Sequence, residues 1–140
     1  MVPINYFAVL VSAVASMVLG SLWYGPLFGK KWIALMGMTD EMMTQAKARG
    51  MGKAYSLMFA GSLLMAYVLA HALVFASEYT MTFGVAAGLM VGLWNWLGFI
   101  APVTLGSVLW EGKSWKLWCL NNSYYLISLM LMGVILSVWM

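Results

Sequence analysis

Few side chains in this 140-residue chain can do chemistry, and they are scattered: His71, Asn95, Asn121, Asn122, Glu111 and Cys119. A histidine exchanges protons near neutral pH, and an ionisable group inside a membrane is by default a candidate functional site. Asn95 stands between two large aromatics, so His71, Trp94, Asn95, Trp96 and Asn121 form the candidate intramembrane polar site. The same atoms have a plainer use. A neutral imidazole or a side-chain amide joins neighbouring helices at about 1 kcal/mol each and needs no further purpose. One His and one Cys fall short of a zinc ligand set, and Cys119 has no disulfide partner. No nucleophile has a recognisable base, no glycine-rich loop follows a strand, and Asp40 and Glu41 lie far along the chain from Glu78. The expectation is a protein that is not an enzyme and carries no metal and no cofactor.

The elements that must position these groups follow from composition. The chain is 64% hydrophobic and 8% charged, against about 45–50% and 25% in soluble domains. A bilayer core about 30 Å thick takes about 20 apolar residues as helix. Four stretches qualify, at about residues 4–25, 54–77, 82–109 and 117–139, leaving polar loops at 26–53 and 110–116. Runs such as Leu63-Leu64-Met65-Ala66 do not alternate in polarity, which excludes a β-barrel. The fold class expected is all-α: a single membrane domain, a compact bundle of four transmembrane helices. From Tyr79 to Trp110 the chain has 32 uncharged residues, roughly 48 Å if it were one continuous helix. Pro102 lacks an N–H and crowds the carbonyl of Gly98, so a kink is expected there, with Thr104 or Ser107 bonding the freed backbone groups.

Charge gives the orientation. All seven Lys and Arg fall between Lys30 and Lys53 or between Lys113 and Lys116, and the loop between the second and third spans holds only Glu78. The positive-inside rule therefore puts both cationic loops in the cytoplasm and both termini outside. This charge is a matter of topology and gives no reason to expect nucleic acid as a partner. The first span lacks a basic leader and reads as a retained helix rather than a signal peptide. Within the first loop, Thr39 with Asp40 and Glu41 starts a short amphipathic helix that Lys47 and Arg49 end, each charge suiting the helix dipole.

Small residues mark the packing faces. Ser12, Ser16 and Gly20 recur every four residues in the first span, as do Gly84, Gly88 and Gly92 in the third. Such stripes let backbones approach where lipid offers no hydrophobic drive. Used within the chain they knit a bundle; used between copies they give a homo-oligomer, a dimer foremost.

The span ends carry the most distinctive letters. In Trp23-Tyr24-Gly25-Pro26 the aromatics suit the headgroup zone and Pro26 disfavours helix at Gly25. Glu111-Gly112-Lys113 and Trp115 form a tight turn, where Glu111 either pairs with a nearby cation or binds one. These motifs, with Gly29-Lys30-Lys31-Trp32, Trp96-Leu97-Gly98-Phe99, Pro102 and Met132-Gly133, resemble the bacterial domain-of-unknown-function 1761 family over nearly the whole chain. That resemblance implies a small four-helix membrane protein and brings no residue roles. Residues and resemblance together lead to an inner-membrane protein, partnered by lipid, by copies of itself or by another membrane protein. Its expected role is a non-enzymatic scaffold or accessory subunit, and the alternative is a minimal oligomeric transporter or channel around His71 and Asn95.

Overall fold

The computed structural model describes residues 1–140. Six helices follow one another: α1 Tyr6–Leu27, α2 Gly29–Met36, α3 Asp40–Ala48, α4 Gly52–Thr80, α5 Gly84–Leu109 and α6 Trp115–Val138. There is no strand. Of these, α1, α4, α5 and α6 are long and apolar enough to cross a membrane, and they pack as a four-helix bundle. The chain is a multi-pass membrane protein. Its 35 exposed large hydrophobics, including Leu64, Val68, Phe99 and Val103, are ordinary where the surrounding solvent is hydrocarbon.

Three of the six helices, α1, α3 and α6, start on a capping side chain. The Asn5 side chain accepts from the N–H groups of Phe7 and Ala8, at 3.1 and 3.2 Å, opening α1. Thr39 accepts from Met42 to open α3, and Ser114 accepts from Leu117 to open α6. Asn5 has a second task, because its amide donates to the Trp139 carbonyl at 3.0 Å. The start of α1 and the end of α6 are thereby tied together at one end of the bundle. Both cationic connections lie at the other end, since α1 and α5 descend to them and α4 and α6 rise from them.

The long uncharged run is accommodated in two ways. Met81, at φ 55°, and Gly84, at φ 68°, bend the chain between α4 and α5, so the first residues of the run are turn and not span. Further on, α5 widens into a π turn at Trp96–Ile100, where the Ala101 N–H reaches back five residues to the Trp96 carbonyl. The kink expected at Pro102 is therefore taken up in the turn before it. A matching π turn closes α1 at Trp23–Leu27, around Pro26 and a distorted Gly25, with the Phe28 N–H bonded to the Trp23 carbonyl at 2.8 Å. In both places a proline removes one donor from the ladder, and the chain answers with a wider turn.

The first connection carries more helix than the start and stop signals around Thr39 foretell. Besides α3 it contains α2, whose Gly-Lys-Lys-Trp-Ile-Ala-Leu-Met sequence has an apolar side and no side-chain cap. Its Trp32 ring meets the Tyr24 ring edge-on at 5.9 Å, folding the segment back against the span end.

Packing divides the bundle into two halves. Toward the termini the core is mainly apolar, built from Ala8, Val9, Leu69, Leu73, Ala87, Val91, Leu129, Met132 and their neighbours, with the hydroxyls of Ser12, Ser77 and Ser137 buried among them. Here α5 and α6 touch backbone to backbone. A Cβ on Gly88 would collide with the Gly133 carbonyl, and one on Gly92 would stand 2.7 Å from the Leu129 carbonyl. The glycine stripe is thus closed within the chain. Gly84 takes no part in it, its positive φ serving the turn instead. On the first-span stripe, Ser12 and Ser16 are buried and Gly20 faces the Tyr124 hydroxyl, where a Cβ would lie 2.9 Å away.

Candidate functional site

Toward the cationic end the bundle interior turns polar. Its hub is Thr104, set by the break after the π turn of α5. The Trp118 indole N–H donates to Thr104 Oγ1 at 3.1 Å, and the Asn122 amide does so at 3.0 Å. The threonine hydroxyl has one hydrogen to give, and the Ile100 carbonyl at 2.8 Å is its nearest acceptor. Asn122 Oδ1 accepts from the Trp96 indole at 3.1 Å, while the Asn122 amide also donates to the Trp118 carbonyl at 3.1 Å. Ser107 closes the set by donating to the Thr104 carbonyl at 2.8 Å. Thr104 and Ser107 do bond backbone, but at the carbonyls of Ile100, Ala101 and Thr104 and not at the Gly98 carbonyl that Pro102 crowds, the group to which the sequence points. The network holds Asn122 only 2% exposed with every polar group of its side chain paired. Loss of any member would leave a buried donor or acceptor without a partner.

A second polar layer joins α1 to α6. The Tyr24 hydroxyl donates to Asn121 Oδ1 at 2.8 Å, the Trp23 indole donates to the Leu120 carbonyl at 3.2 Å, and the Tyr124 hydroxyl donates to the Ser16 carbonyl at 3.2 Å. Deeper still, the Ser16 and Ser128 hydroxyls share a buried hydrogen bond of 2.8 Å. The adjacent asparagines on α6 therefore face opposite partners, Asn121 toward α1 and Asn122 toward α5.

The residues grouped from sequence as one intramembrane site are distributed differently. His71 Nδ1 lies 2.9 Å from the Tyr67 carbonyl of its own helix, and its ring meets Tyr67 edge-on at 4.6 Å with Phe75 beyond at 6.4 Å. Asn95 bonds back to the Val91 carbonyl at 2.8 Å, also within its helix. It borders an outward groove between α4 and α5 of about 410 Å³, walled otherwise by apolar side chains including Leu64, Val68 and Phe99. Trp94 is 63% exposed on the outer face. Trp96 and Asn121 do reach polar partners on other helices, but different ones, Asn122 and Tyr24. No hydrogen bond joins His71 to Asn95. The candidate site read from sequence leaves out both Asn122 and Trp118. The signal available was spacing, since Trp118 and Asn122 are four residues apart and share a face of α6.

Beside the network, between the end of α5 and the start of α6, lies a cavity of about 420 Å³. Thr104, Trp118 and Asn122 form its back wall, with Asn121 and Tyr125 to one side and Trp110 and Glu111 at the mouth. Of the span-end motif, Trp23 and Tyr24 are anchored by hydrogen bonds and Pro26 sits in the π turn, whereas Glu111, Lys113 and Trp115 are exposed at the turn before α6.

Comparison with known proteins gives one match. The model of the family described as "Protein of unknown function (DUF1761)" covers residues 7–137. No curated protein and no solved structure matches the chain.

Proposed function

The chain belongs to the DUF1761 family, whose description assigns no activity, and from its own geometry we propose a non-enzymatic scaffold or accessory protein of the inner membrane. It sits with the connections rich in Lys and Arg in the cytoplasm and both chain ends outside, as the charge asymmetry favours. The observation that carries this reading is how the two candidate polar groups within the spans are used: His71 and Asn95 each bond a carbonyl of their own helix. Neither opens into a polar passage through the bundle. A proton or solute path needs groups that bind and release their cargo, and side chains bonded to the backbone of their own helix suit support instead.

Because the glycine seam is occupied between α5 and α6, partners meet the outward faces. Those of α4 and α5 present Leu64, Val68, Trp94 and Phe99, and they are the surfaces available to a second copy or to another membrane protein. Proton flux into liposomes loaded with a pH-sensitive dye tests the assignment. The expected trace for the purified protein matches that of empty liposomes, and His71→Ala with Asn95→Ala leaves it unchanged. A protein-dependent flux that this double variant abolishes would replace the scaffold with the transporter.

A further inference from the structure

The cavity between α5 and α6 has a chemistry that a purely structural bundle does not require. Its volume, about 420 Å³, falls in the range of small-ligand sites. Three aromatic side chains, Trp110, Trp118 and Tyr125, line it together with one carboxylate, Glu111, and no lysine or arginine does. Its back wall is held rigid by the Thr104–Asn122–Trp118 hydrogen bonds, so the surface is formed before anything binds. Aromatic faces with a carboxylate are the means by which proteins hold alkylated ammonium groups, each ring contributing roughly 0.5–1 kcal/mol at an exposed site. The surroundings narrow the ligand further. Lys113, on the connection, and Lys116, in the first turn of α6, are exposed and follow Glu111 by two and five residues, so that their charge repels a bare cation and attracts a phosphate. The mouth also lies at the end of two spans, where Trp110 and Trp115 mark the headgroup zone.

We propose that this cavity binds the ammonium group of a zwitterionic phosphodiester, the headgroup of a membrane phospholipid, with Glu111 and the aromatic rings taking the ammonium and Lys113 or Lys116 the adjacent phosphate. The site is a binding site only, and no bond is made or broken in it.

Spin-labelled lipids provide the test. The full chain is placed in phosphatidylglycerol bilayers, and the motionally restricted fraction of spin-labelled phosphatidylcholine is compared with that of spin-labelled phosphatidylglycerol. The expected result is a preference for phosphatidylcholine of about 3-fold or more, the equivalent of one cation–π contact plus the ion pair. Glu111→Gln and Trp110→Ala each reduce it toward parity. Both residues are exposed, so an unchanged thermal midpoint separates loss of binding from loss of fold. Soluble glycerophosphocholine at millimolar concentration is the second arm. Displacement of the restricted lipid means that the site takes the headgroup chemistry from either source, and resistance means that it takes the anchored lipid alone. Equal restriction of the two lipids by the wild type, or a preference that survives both substitutions, overturns the proposal.

Discussion

At the level of single residues, the contrast among buried hydroxyls is the sharpest guide to energetics. Ser16 and Ser128 satisfy each other, whereas the Ser12 and Ser77 hydroxyls are buried with no partner. An interhelical hydrogen bond in a membrane contributes about 0.6 kcal/mol, and an unmade one costs its desolvation. Ser16→Ala is therefore expected to lower the thermal unfolding midpoint, and Ser12→Ala to leave it unchanged or raise it. A scan of both variants in the same detergent checks the sign. Thr104 has more at stake, since Thr104→Val keeps the shape but strips the acceptor from two donors, Trp118 Nε1 and Asn122 Nδ2. About 1–3 kcal/mol is the expected cost of each buried donor left unpaired, seen as a lower midpoint and a red-shifted tryptophan emission. Little of this was legible beforehand. Proximity to Pro102 singled out Thr104 as a backbone-bonding hydroxyl, though the carbonyls it reaches are those of Ile100 and Ala101 rather than Gly98; that it would also anchor Trp118 and Asn122 depends on how α5 and α6 are rotated, which residue spacing alone does not determine.

Among the helices, the spans were legible because lipid leaves the backbone so little choice. Lengths, charge gaps and the proline in the third span all point to the same four segments, and the bundle has them. What the pattern could not convey was how a proline is absorbed. Both Pro26 and Pro102 are met by π turns, which residue spacing does not announce. Helix α2 escaped notice because it is short and flanked by no polar cap. The glycines provide an element-level prediction. Gly88→Ala drives a methyl into the Gly133 backbone and must separate α5 from α6, whereas a Cβ at Gly98 meets open space. Overpacking of this kind costs about 1–3 kcal/mol or more. The Gly88 variant is expected to lose its sharp thermal transition or its yield of folded protein, and Gly98→Ala to behave as wild type. Equal behaviour of the two would mean that α5 and α6 are not in backbone contact.

Taken whole, the molecule is a bundle with two unlike ends. One is mainly apolar inside and closed by the Asn5–Trp139 hydrogen bond; the other is polar inside, ringed by aromatics and carries every lysine and arginine. The candidate site was legible only in its ingredients. Trp96, Asn121, Glu111 and Trp115 stood out as polar or amphipathic groups near span ends, but their grouping follows from the tertiary packing: Asn121 goes to Tyr24, Trp96 to Asn122, and Glu111 to the mouth of a cavity whose back wall is Thr104. His71 and Asn95 drew notice by being rare in an apolar setting, and the helix uses both locally.

The arrangement of these two ends across the membrane is the claim on which the rest depends, and cysteine labelling tests it most directly. In a Cys119→Ser background, Lys47→Cys and Met140→Cys are each exposed to a membrane-impermeant maleimide in right-side-out and inside-out vesicles. The account predicts that Met140→Cys is labelled only in right-side-out vesicles and Lys47→Cys only in inside-out ones. Labelling of both positions from the same side would contradict it.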